Sequence, residues 1–268
     1  MTMNIVVCVK QVPDYEAPAS AYRLDRAAKR FIPNDSVAKM LSLFDEHAIE
    51  GALQLREALG GKVTSVCLGP QDATLVLRKT LAMGGDEAIL IDEAAWGALN
   101  PFVTAHILAN AIRKIGDVDL VICGRQASDW DFGIVGPTIA EELGWGAVAV
   151  IKGLSGHDGG LRVERLLDDG HEVMELALPA VVTVSSEMNK PRYAPIQKVI
   201  QAKRKTVPVW GPAELPIDAA HLDELRGRLD LVDLFIPEIE AKCEIVSGEN
   251  EADAGEKLAL KMRDARLV

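Results

Sequence analysis

VDLVICGRQASDWDFGIVGPTIAEELG, residues 118–144, is the stretch that most clearly determines the fold. The apolar run at 120–123 is typical of a buried strand, and the polar, glycine-containing loop after it leads into an amphipathic helical pattern. In such a unit the loop lies at the carboxyl end of the strand, where the free N–H groups and the dipole of the helix attract anions. The stretch therefore predicts one strand, loop, helix unit of an α/β protein.

The loop carries groups suited to a nucleotide. Gly124, Gly133 and Gly136 leave room for close approach of a ligand to the backbone. We hypothesise an adenine nucleotide whose phosphates lie over the start of the helix. A plain turn between strand and helix is the alternative, because the pattern matches neither G-x-G-x-x-G nor the Walker motif. The polar side chains that can bond a ligand are those of Arg125, Gln126, Ser128, Asp129 and Asp131.

Three further strand and helix pairs precede this unit. The predicted strands are 4–9, 62–68 and 87–91, and the predicted helices are 44–59, 72–83 and 101–115. Four strands alternating with helices predict a mostly parallel sheet flanked by helices. The irregular excursion 10–34, the helix start at Ser42, the turn at Leu68 and the Gly124 loop all fall on one sheet edge. This convergence favours the nucleotide hypothesis, although surface padding is an alternative for the excursion.

The pattern changes after Gly144. Short strand-like runs at 148–154, 161–167, 171–176 and 180–185 predict an antiparallel addition, a hairpin followed by a strand that returns to the main sheet. Residues 190–205 then carry six basic residues and no acid. This basic segment is interpreted as a nucleic-acid contact, a solvated helix face or a docking surface for an acidic partner.

From residue 207 the sequence predicts an irregular, extended C-terminal arm with a last helix at 251–266. Apolar side chains in the arm, such as those of Trp210 and Phe235, would need cover. The arm is therefore predicted to wrap another subunit.

The composition of the chain argues against several classes of function. The 268 residues carry a formal net charge of −11, which argues against general binding to nucleic acid or to an anionic membrane. No apolar stretch approaches the ~20 residues of a membrane helix, and the apolar run near the N-terminus is interpreted as a strand rather than a signal peptide. Cys8, Cys67, Cys123 and Cys243 are far apart and predict free thiols in a reducing cytoplasm; no metal site is predicted.

The chain resembles the electron transfer flavoprotein β-subunit (ETF/FixA) family along essentially its whole length. The motif PAVVTVSSEMNKPRYA at 179–194 is the most specific part of the resemblance. The other segments that carry it are MNIVVCVKQVPD at 3–14, SLFDEHAIEGALQLRE at 42–57, VCLGPQDATLVLRKTLAMGGDEAI at 66–89, the opening stretch from 119, IQKVIQAKRK at 196–205 and the C-terminal arm.

The resemblance implies a heterodimer with an α subunit. Residues 1–206 would form a Rossmann-like nucleotide-binding domain, and the arm 207–268 would embrace the α subunit. The redox-active FAD would be held mainly by the α subunit, with Tyr15 and Phe44 on the flavin side. The β subunit's own nucleotide would be bound by Cys8, Ser42, Leu43, Phe44, Asp45, Leu68, Gly124, Arg125, Gln126, Ala127, Ser128, Asp129, Asp131, Gly133, Ile134 and Val135.

The resemblance also implies a recognition loop at 185–192 that docks partner dehydrogenases. Met188 would be its protruding apolar anchor, backed by Arg192 and Lys198, as suits fast-dissociating docking. The residues assigned to docking are Glu187, Met188, Asn189, Pro191, Arg192 and Tyr193.

Two departures from the family pattern bear on the nucleotide. Bifurcating members usually read close to GRQAIDGDTAQVGP where this chain has GRQASDWDFGIVGP, with Trp130 in place of a glycine. The small and polar Thr-Ala-Gln run suits a dinucleotide pyrophosphate, so its loss here favours AMP over a second FAD. Ser42-Leu43 stands where the family has Asn-Pro, in the region of the adenine contacts.

The implied function is that of an electron carrier rather than an enzyme, with no catalytic side chains. Electrons would pass from a flavoprotein dehydrogenase through FAD to ETF:quinone oxidoreductase or another acceptor. One alternative is an electron-bifurcating complex with a second FAD that oxidises NADH. Another is a universal-stress-type nucleotide-binding protein. Neither nucleic acid nor direct membrane insertion is expected.

Overall fold

The structure, a computed structural model, describes residues 2–157, 159–237 and 243–268. The helices are α1 Leu43–Leu59, α2 Thr74–Met83, α3 Pro101–Ile115, α4 Val135–Leu143, α5 Ile196–Arg204, α6 Ala219–Arg226 and α7 Glu251–Asp264. The strands are β1 Met3–Cys8, β2 Gln11–Pro13, β3 Tyr22–Asp25, β4 Arg30–Pro33, β5 Lys39–Leu41, β6 Gly61–Gly69, β7 Glu87–Asp92, β8 Leu120–Gly124, β9 Gly146–His157, β10 Gly160–Leu167, β11 Gly170–Ala177, β12 Ala180–Val184 and β13 Val209–Trp210.

The main sheet confirms the predicted α/β class. Its nine strands run in the order β11-β10-β9-β12-β8-β1-β6-β7-β13. Starting at β9 in this order, each strand pairs parallel with the next one, up to the edge strand β13. Strand β10 pairs antiparallel with both β9 and β11. The predicted antiparallel addition is therefore confirmed. Strand β12 is the predicted return strand, inserted between β8 and β9.

Both faces of the sheet are covered, which explains the unbroken apolar runs of its central strands. In β1, Ile5 and Val7 pack into the core on the side of α1 and α2. Val6 and Cys8 point to the opposite face and pack into the core formed with α3 and α4. The central strand is thus buried on two sides by aliphatic side chains, as the low aromatic content predicts.

The excursion after β1 contains more regular structure than its sequence indicates. Strand β2 pairs antiparallel with β5, and β3 pairs antiparallel with β4. The rings of Tyr22 and Phe31 stack across the second pair with centroids 5.1 Å apart. Strands of three or four residues are too short to show a periodic pattern, so the sequence interpretation missed them.

The first part of the arm packs against the sheet. Strand β13 extends the sheet beside β7, and Leu215, Leu222 and Leu225 are buried in the core that contains α3. Trp210 was expected to be exposed, but it is partly buried and lies beneath the Lys114 ammonium, 5.3 Å from the ring centroid. The division at 207 stays a prediction.

The later part of the arm has less cover. Arg26 in the excursion forms an ion pair with Asp233, at 2.6 Å between Nη2 and Oδ2. Phe235 and Ile236 are exposed, and α7 has no buried residue. The structure thus leaves apolar side chains of the arm on the surface, as the sequence predicts for a segment that covers another subunit.

The cysteines lie where the strand patterns predict. Cys8, Cys67 and Cys123 are buried free thiols in β1, β6 and β8, while Cys243 is exposed. Burial raises the pKa of Cys67 to about 12, which keeps it a protonated, unreactive thiol. In the described residues, no helix combines the length and the apolar character needed to cross a lipid bilayer.

Candidate functional site

The carboxyl ends of the parallel strands meet at one edge of the sheet, as predicted. Cys8 at the end of β1 is the register neighbour of Cys123 near the end of β8. Leu68 lies near the end of β6 and is buried. Helix α1 begins just after β5, and the loop 125–134 connects β8 to α4 at the same edge. This is the ligand-binding edge of open α/β sheets.

The start of α1 and the loop after β8 are bound to each other. Ser42 precedes the first turn of α1 and is fully buried. The backbone N–H of Ser128 donates to Ser42 Oγ at 3.2 Å. The guanidinium of Arg125 lies over the Phe44 ring, 5.4 Å from its centroid, at a distance typical of a cation–π contact. Residues 86 positions apart in the chain therefore form one site.

Gly124 allows this contact because a side chain would not fit. A Cβ at position 124 would lie 2.5 Å from Asp45 Oδ1 and 2.8 Å from Phe44 Cβ. At Gly136 a Cβ would lie 2.5 Å from Thr183 Cγ2. The space at these two glycines is thus taken up by the protein, which corrects the hypothesis that they make room for a ligand. Gly133, with a φ of +68°, serves the loop by adopting a left-handed conformation.

Lys10 is a site residue that the sequence interpretation missed. Its backbone N–H donates to Asp45 Oδ2 at 2.8 Å, and its Nζ lies 2.7 Å from Asp129 Oδ2. Lys10 therefore links the end of β1 to the start of α1 and to the loop. Its position directly after the first predicted strand was the available signal.

Asp45 is a buried acid at the centre of the site. Burial raises its pKa from 3.8 to about 7, against the opposing effect of N–H donors from Lys10 and Gly124. The charge of Asp129 adds to the rise, while that of Lys10 lowers it. Asp45 can therefore change its charge near neutral pH.

We expect the Asp45→Asn variant to lose part of the pH dependence of folding stability. Because the folded pKa of Asp45 is above its ordinary value of 3.8, the folded state binds the proton more tightly, and stability falls as the pH rises toward about 7. The free energy of unfolding of the native chain should fall by about 2 kcal/mol more than that of the variant between pH 5 and pH 7. Urea unfolding at several pH values measures this, and equal slopes would contradict it.

The chemistry of the site fits an anionic nucleotide. Val135 and Gly136 occupy the first turn of α4, where backbone N–H groups have no partner within the helix. The Ser185 side chain, directly after β12, is buried close to the loop. Acidic groups of the loop are engaged elsewhere, Asp129 by Lys10 and Asp131 by the Gln126 amide at 2.8 Å. Phosphate oxygens could therefore accept hydrogen bonds here without facing an unpaired carboxylate.

Aromatic side chains lie on the outer side of the site. Trp130 and Phe132 stack with centroids 5.9 Å apart, and each is 43% exposed. Tyr15 is also exposed, and its pKa is raised by partial burial and by the charge of Glu46 in the first turn of α1. The Tyr15 side chain is thus placed near the start of α1, to which Phe44 also belongs.

The predicted docking segment lies against α1, and Met188 does not protrude. Met188 is partly buried against the core, and a Cβ on Gly51 would lie 2.5 Å from its terminal methyl carbon. Helix α1 has a glycine at the contact, so the flexible thioether packs into the groove there. Pro191 is also partly buried, whereas Glu187 is exposed and Tyr193 is 94% exposed. Tyr193 is therefore more accessible than Met188 in this conformation.

Polar contacts hold the same segment on α1. The Asn189 amide donates to the backbone carbonyl of His47 at 3.0 Å. Arg192 bonds both oxygens of Glu50, with Nε at 2.7 Å from Oε2 and Nη2 at 3.0 Å from Oε1, and its Nη1 also lies 2.6 Å from Glu57 Oε1. These hydrogen bonds raise the pKa of Arg192 further. Helix α1 thus contacts the predicted nucleotide loop at its start and the predicted docking segment along its length.

Comparison with known proteins is consistent with this geometry. The family described as the Electron transfer flavoprotein domain matches residues 33–215. The electron transfer flavoprotein subunit beta of Thermoanaerobacterium thermosaccharolyticum is 35% identical, with 99% of this chain and 100% of that protein covered. The caffeyl-CoA reductase-Etf complex subunit CarD of Acetobacterium woodii is 30% identical, with 99% and 100% covered. Protein FixA of Azotobacter vinelandii is 32% identical, with 90% and 86% covered.

Proposed function

The chain belongs to the electron transfer flavoprotein β-subunit family, and from that premise we propose that it is the β subunit of a heterodimeric electron carrier. In this proposal an α subunit holds most of the redox-active FAD. Electrons enter from a flavoprotein dehydrogenase and leave to ETF:quinone oxidoreductase or another acceptor. The flavin supplies the redox chemistry, and this chain positions partners and binds a structural nucleotide in the cytoplasm.

The main support for this proposal is that several segments meet in one site at the sheet edge. The start of α1 and the loop after β8 are connected through Ser42 and Ser128, and Lys10 bridges both to β1. We infer that AMP binds at this site, with its phosphate at the first turn of α4. In this proposal no side chain of the site acts as an acid, a base or a nucleophile.

Two features of the loop support AMP over a second FAD. Trp130 and Phe132 form a stacked aromatic pair in a region where a dinucleotide would require small or polar neighbours. The room at Gly124 is filled by Asp45 and Phe44. A nucleotide with one phosphate needs fewer donors than a pyrophosphate, and α4 offers few because Pro137 in its first turn lacks an N–H.

The arm and the docking segment support the heterodimer. Exposed apolar groups at Val232, Phe235 and Ile236, and the uncovered helix α7, are suited to burial by the α subunit. Tyr193 and the basic face of α5 provide the accessible apolar and positive groups that a dehydrogenase with an acidic docking surface would contact.

A bifurcating complex is the second candidate. One relative of this chain is named as a subunit of a caffeyl-CoA reductase-Etf complex. In that case the site at the sheet edge would hold a second FAD that oxidises NADH. A universal-stress-type sensor is not proposed, because the family match and the relatives belong to electron transfer flavoproteins.

The two candidates differ in their response to NADH. We expect that the purified heterodimer, mixed with NADH under anaerobic conditions, retains its oxidised flavin absorption. Addition of a reduced flavoprotein dehydrogenase should bleach that absorption. Rapid flavin reduction by NADH alone would overturn the carrier proposal in favour of bifurcation, and no reduction by any candidate dehydrogenase would count against both.

A further inference from the structure

Three helices bring two histidines and a carboxylate together away from the nucleotide edge. His106 is in α3, Glu142 is near the end of α4 and His221 is in α6. One potential ligand atom from each residue lies within 4.8 Å of the other two. His106 Nδ1 is 3.0 Å from Glu142 Oε2, and the two imidazole rings meet edge to face with centroids 4.8 Å apart.

We propose that His106, Glu142 and His221 bind one first-row divalent transition-metal ion, for which Zn²⁺ is the natural probe. Two imidazoles and one carboxylate are a ligand set that such ions prefer, with further positions open to water. Ligand atoms around tetrahedral zinc lie roughly 3.3 Å apart, given metal–ligand bonds of about 2.0–2.1 Å. The shortest distance in the cluster is close to this value, and the longest requires a shift of about 1.5 Å, within reach of side-chain rotation.

The surroundings of the cluster also suit an ion. The three side chains are 13%, 22% and 35% exposed for His106, Glu142 and His221, so they are ordered by packing yet reachable from solvent. Glu142 also lines an open cleft of about 640 Å³ together with Phe102 and Arg228.

Neighbouring side chains can orient the ligands. Glu224 Oε2 lies 3.4 Å from His221 Nδ1, and the Asn110 amide nitrogen lies 3.1 Å from His106 Nε2. Outer contacts of this kind set which imidazole nitrogen is free to bind a metal. Without an ion, the Asn110 amide donates to His106 Nε2 and to the His106 carbonyl, which leaves the ring proton on Nδ1. Binding of a metal through Nδ1 therefore requires the proton to move to Nε2 and the Asn110 amide to rotate so that its oxygen accepts from Nε2.

A bound ion would link helices from two parts of the chain. Helix α6 lies in the first part of the arm, whereas α3 and α4 belong to the sheet domain. A shared ion would attach the first part of the arm to the sheet domain. Because the ion would bind only the folded state, it would stabilise the folded protein.

The test titrates the full-length chain with Zn²⁺ by calorimetry and with Co²⁺ by visible absorption. We expect one ion per chain with a Kd in the micromolar range or tighter, d–d absorption from bound Co²⁺, and a higher Tm with Zn²⁺. His106→Gln, His221→Gln and Glu142→Gln should each weaken binding at least about tenfold. His171→Gln, which alters an exposed histidine on β11, is the matched control and should bind as the native chain does.

His221→Gln is the decisive variant because its side chain is the most exposed of the three, and circular dichroism verifies that it folds. Binding weaker than about 100 μM in the native chain would overturn the proposal. The same holds if His106→Gln and His221→Gln bind both ions as tightly as the His171→Gln control.

Discussion

Replacing Gly124 by alanine is expected to lower nucleotide affinity at least tenfold, or about 1.4 kcal/mol, and to destabilise the fold. The added Cβ would lie 2.5 Å from Asp45 Oδ1, 2.8 Å from Phe44 Cβ and 3.0 Å from the Phe44 carbonyl carbon. Because two of these atoms belong to the first turn of α1 rather than to a flexible side-chain end, the loop and the helix must move apart. Forced insertion of a methyl group into such a contact costs about 1–3 kcal/mol.

The measurement is the binding of AMP to nucleotide-free heterodimer, together with urea unfolding. Gly170→Ala is the matched control, because a Cβ at Gly170 meets no atom within 4 Å and its φ is not in the left-handed region. Alanine at 170 should change neither quantity appreciably. Native affinity and native stability in Gly124→Ala would show that the contact between α1 and the loop does not shape the site.

Arg192→Ala is expected to destabilise the protein by about 2 kcal/mol, because it leaves the Glu50 carboxylate without its main partner. The Glu50 side chain is only 4% exposed, whereas that of Arg192 is 33% exposed. Solvent access at Arg192 makes the expected loss smaller than the roughly 3–5 kcal/mol of a fully buried pair. Since Arg192 holds the proposed docking segment on α1, the variant should also react more slowly with the reduced dehydrogenase.

A double-mutant cycle with Glu50→Gln isolates the ion pair. Arg192→Ala should cost clearly less in the Glu50→Gln background, since no buried charge is then left unpaired. Arg165→Ala is the control, because its pair with Glu172 is 3.7 Å long and about half exposed on both sides, so a change within about 0.5 kcal/mol is expected. Equal effects of Arg192→Ala in both backgrounds would contradict a role for the pair.

The ion pair of Arg192 and Glu50 also predicts that folding stability decreases at acidic pH. Burial alone would raise the pKa of Glu50, but hydrogen bonds from Arg192 and Gln54 hold it below its ordinary value of 4.5. A lowered folded pKa contributes stability that is present above pH 4.5 and is lost as the pH falls through the folded pKa. The contribution should be absent from Arg192→Ala, which urea unfolding between pH 3 and pH 6 would reveal.

The sheet was accessible from sequence because each central strand is an unbroken apolar run followed by a helical pattern. The convergence of Ser42, Leu68 and Gly124 followed from chain order, since carboxyl ends of parallel strands share an edge. The contacts inside the site were not accessible. That Gly124 faces Asp45 and Phe44, and that Lys10 bridges Asp45 and Asp129, depends on side-chain packing between segments far apart in sequence.

The docking segment shows a second limit of sequence reasoning. Met188 was assigned a protruding position, yet a glycine at position 51 of α1 creates a groove that accepts it. The partner of a flexible apolar side chain cannot be identified from its own segment. In the same way, the cluster of His106, Glu142 and His221 comes from three helices whose sequences contain no metal-ligand spacing.

Helix α1 contacts both of the sites proposed for the chain. Its first turn contacts the nucleotide loop through Asp45 and Phe44, and its next turns hold the docking segment through His47, Glu50 and Gly51. Loss of nucleotide is therefore expected to loosen the start of the helix that supports the docking segment.

The amounts of FAD and AMP released per heterodimer on denaturation provide the most direct test of the proposed nucleotide site. We expect one FAD and one AMP, with the AMP lost from the Gly124→Ala heterodimer while the FAD remains. Two FAD and no AMP would contradict the assignment of a structural nucleotide to the site between α1 and the loop after β8.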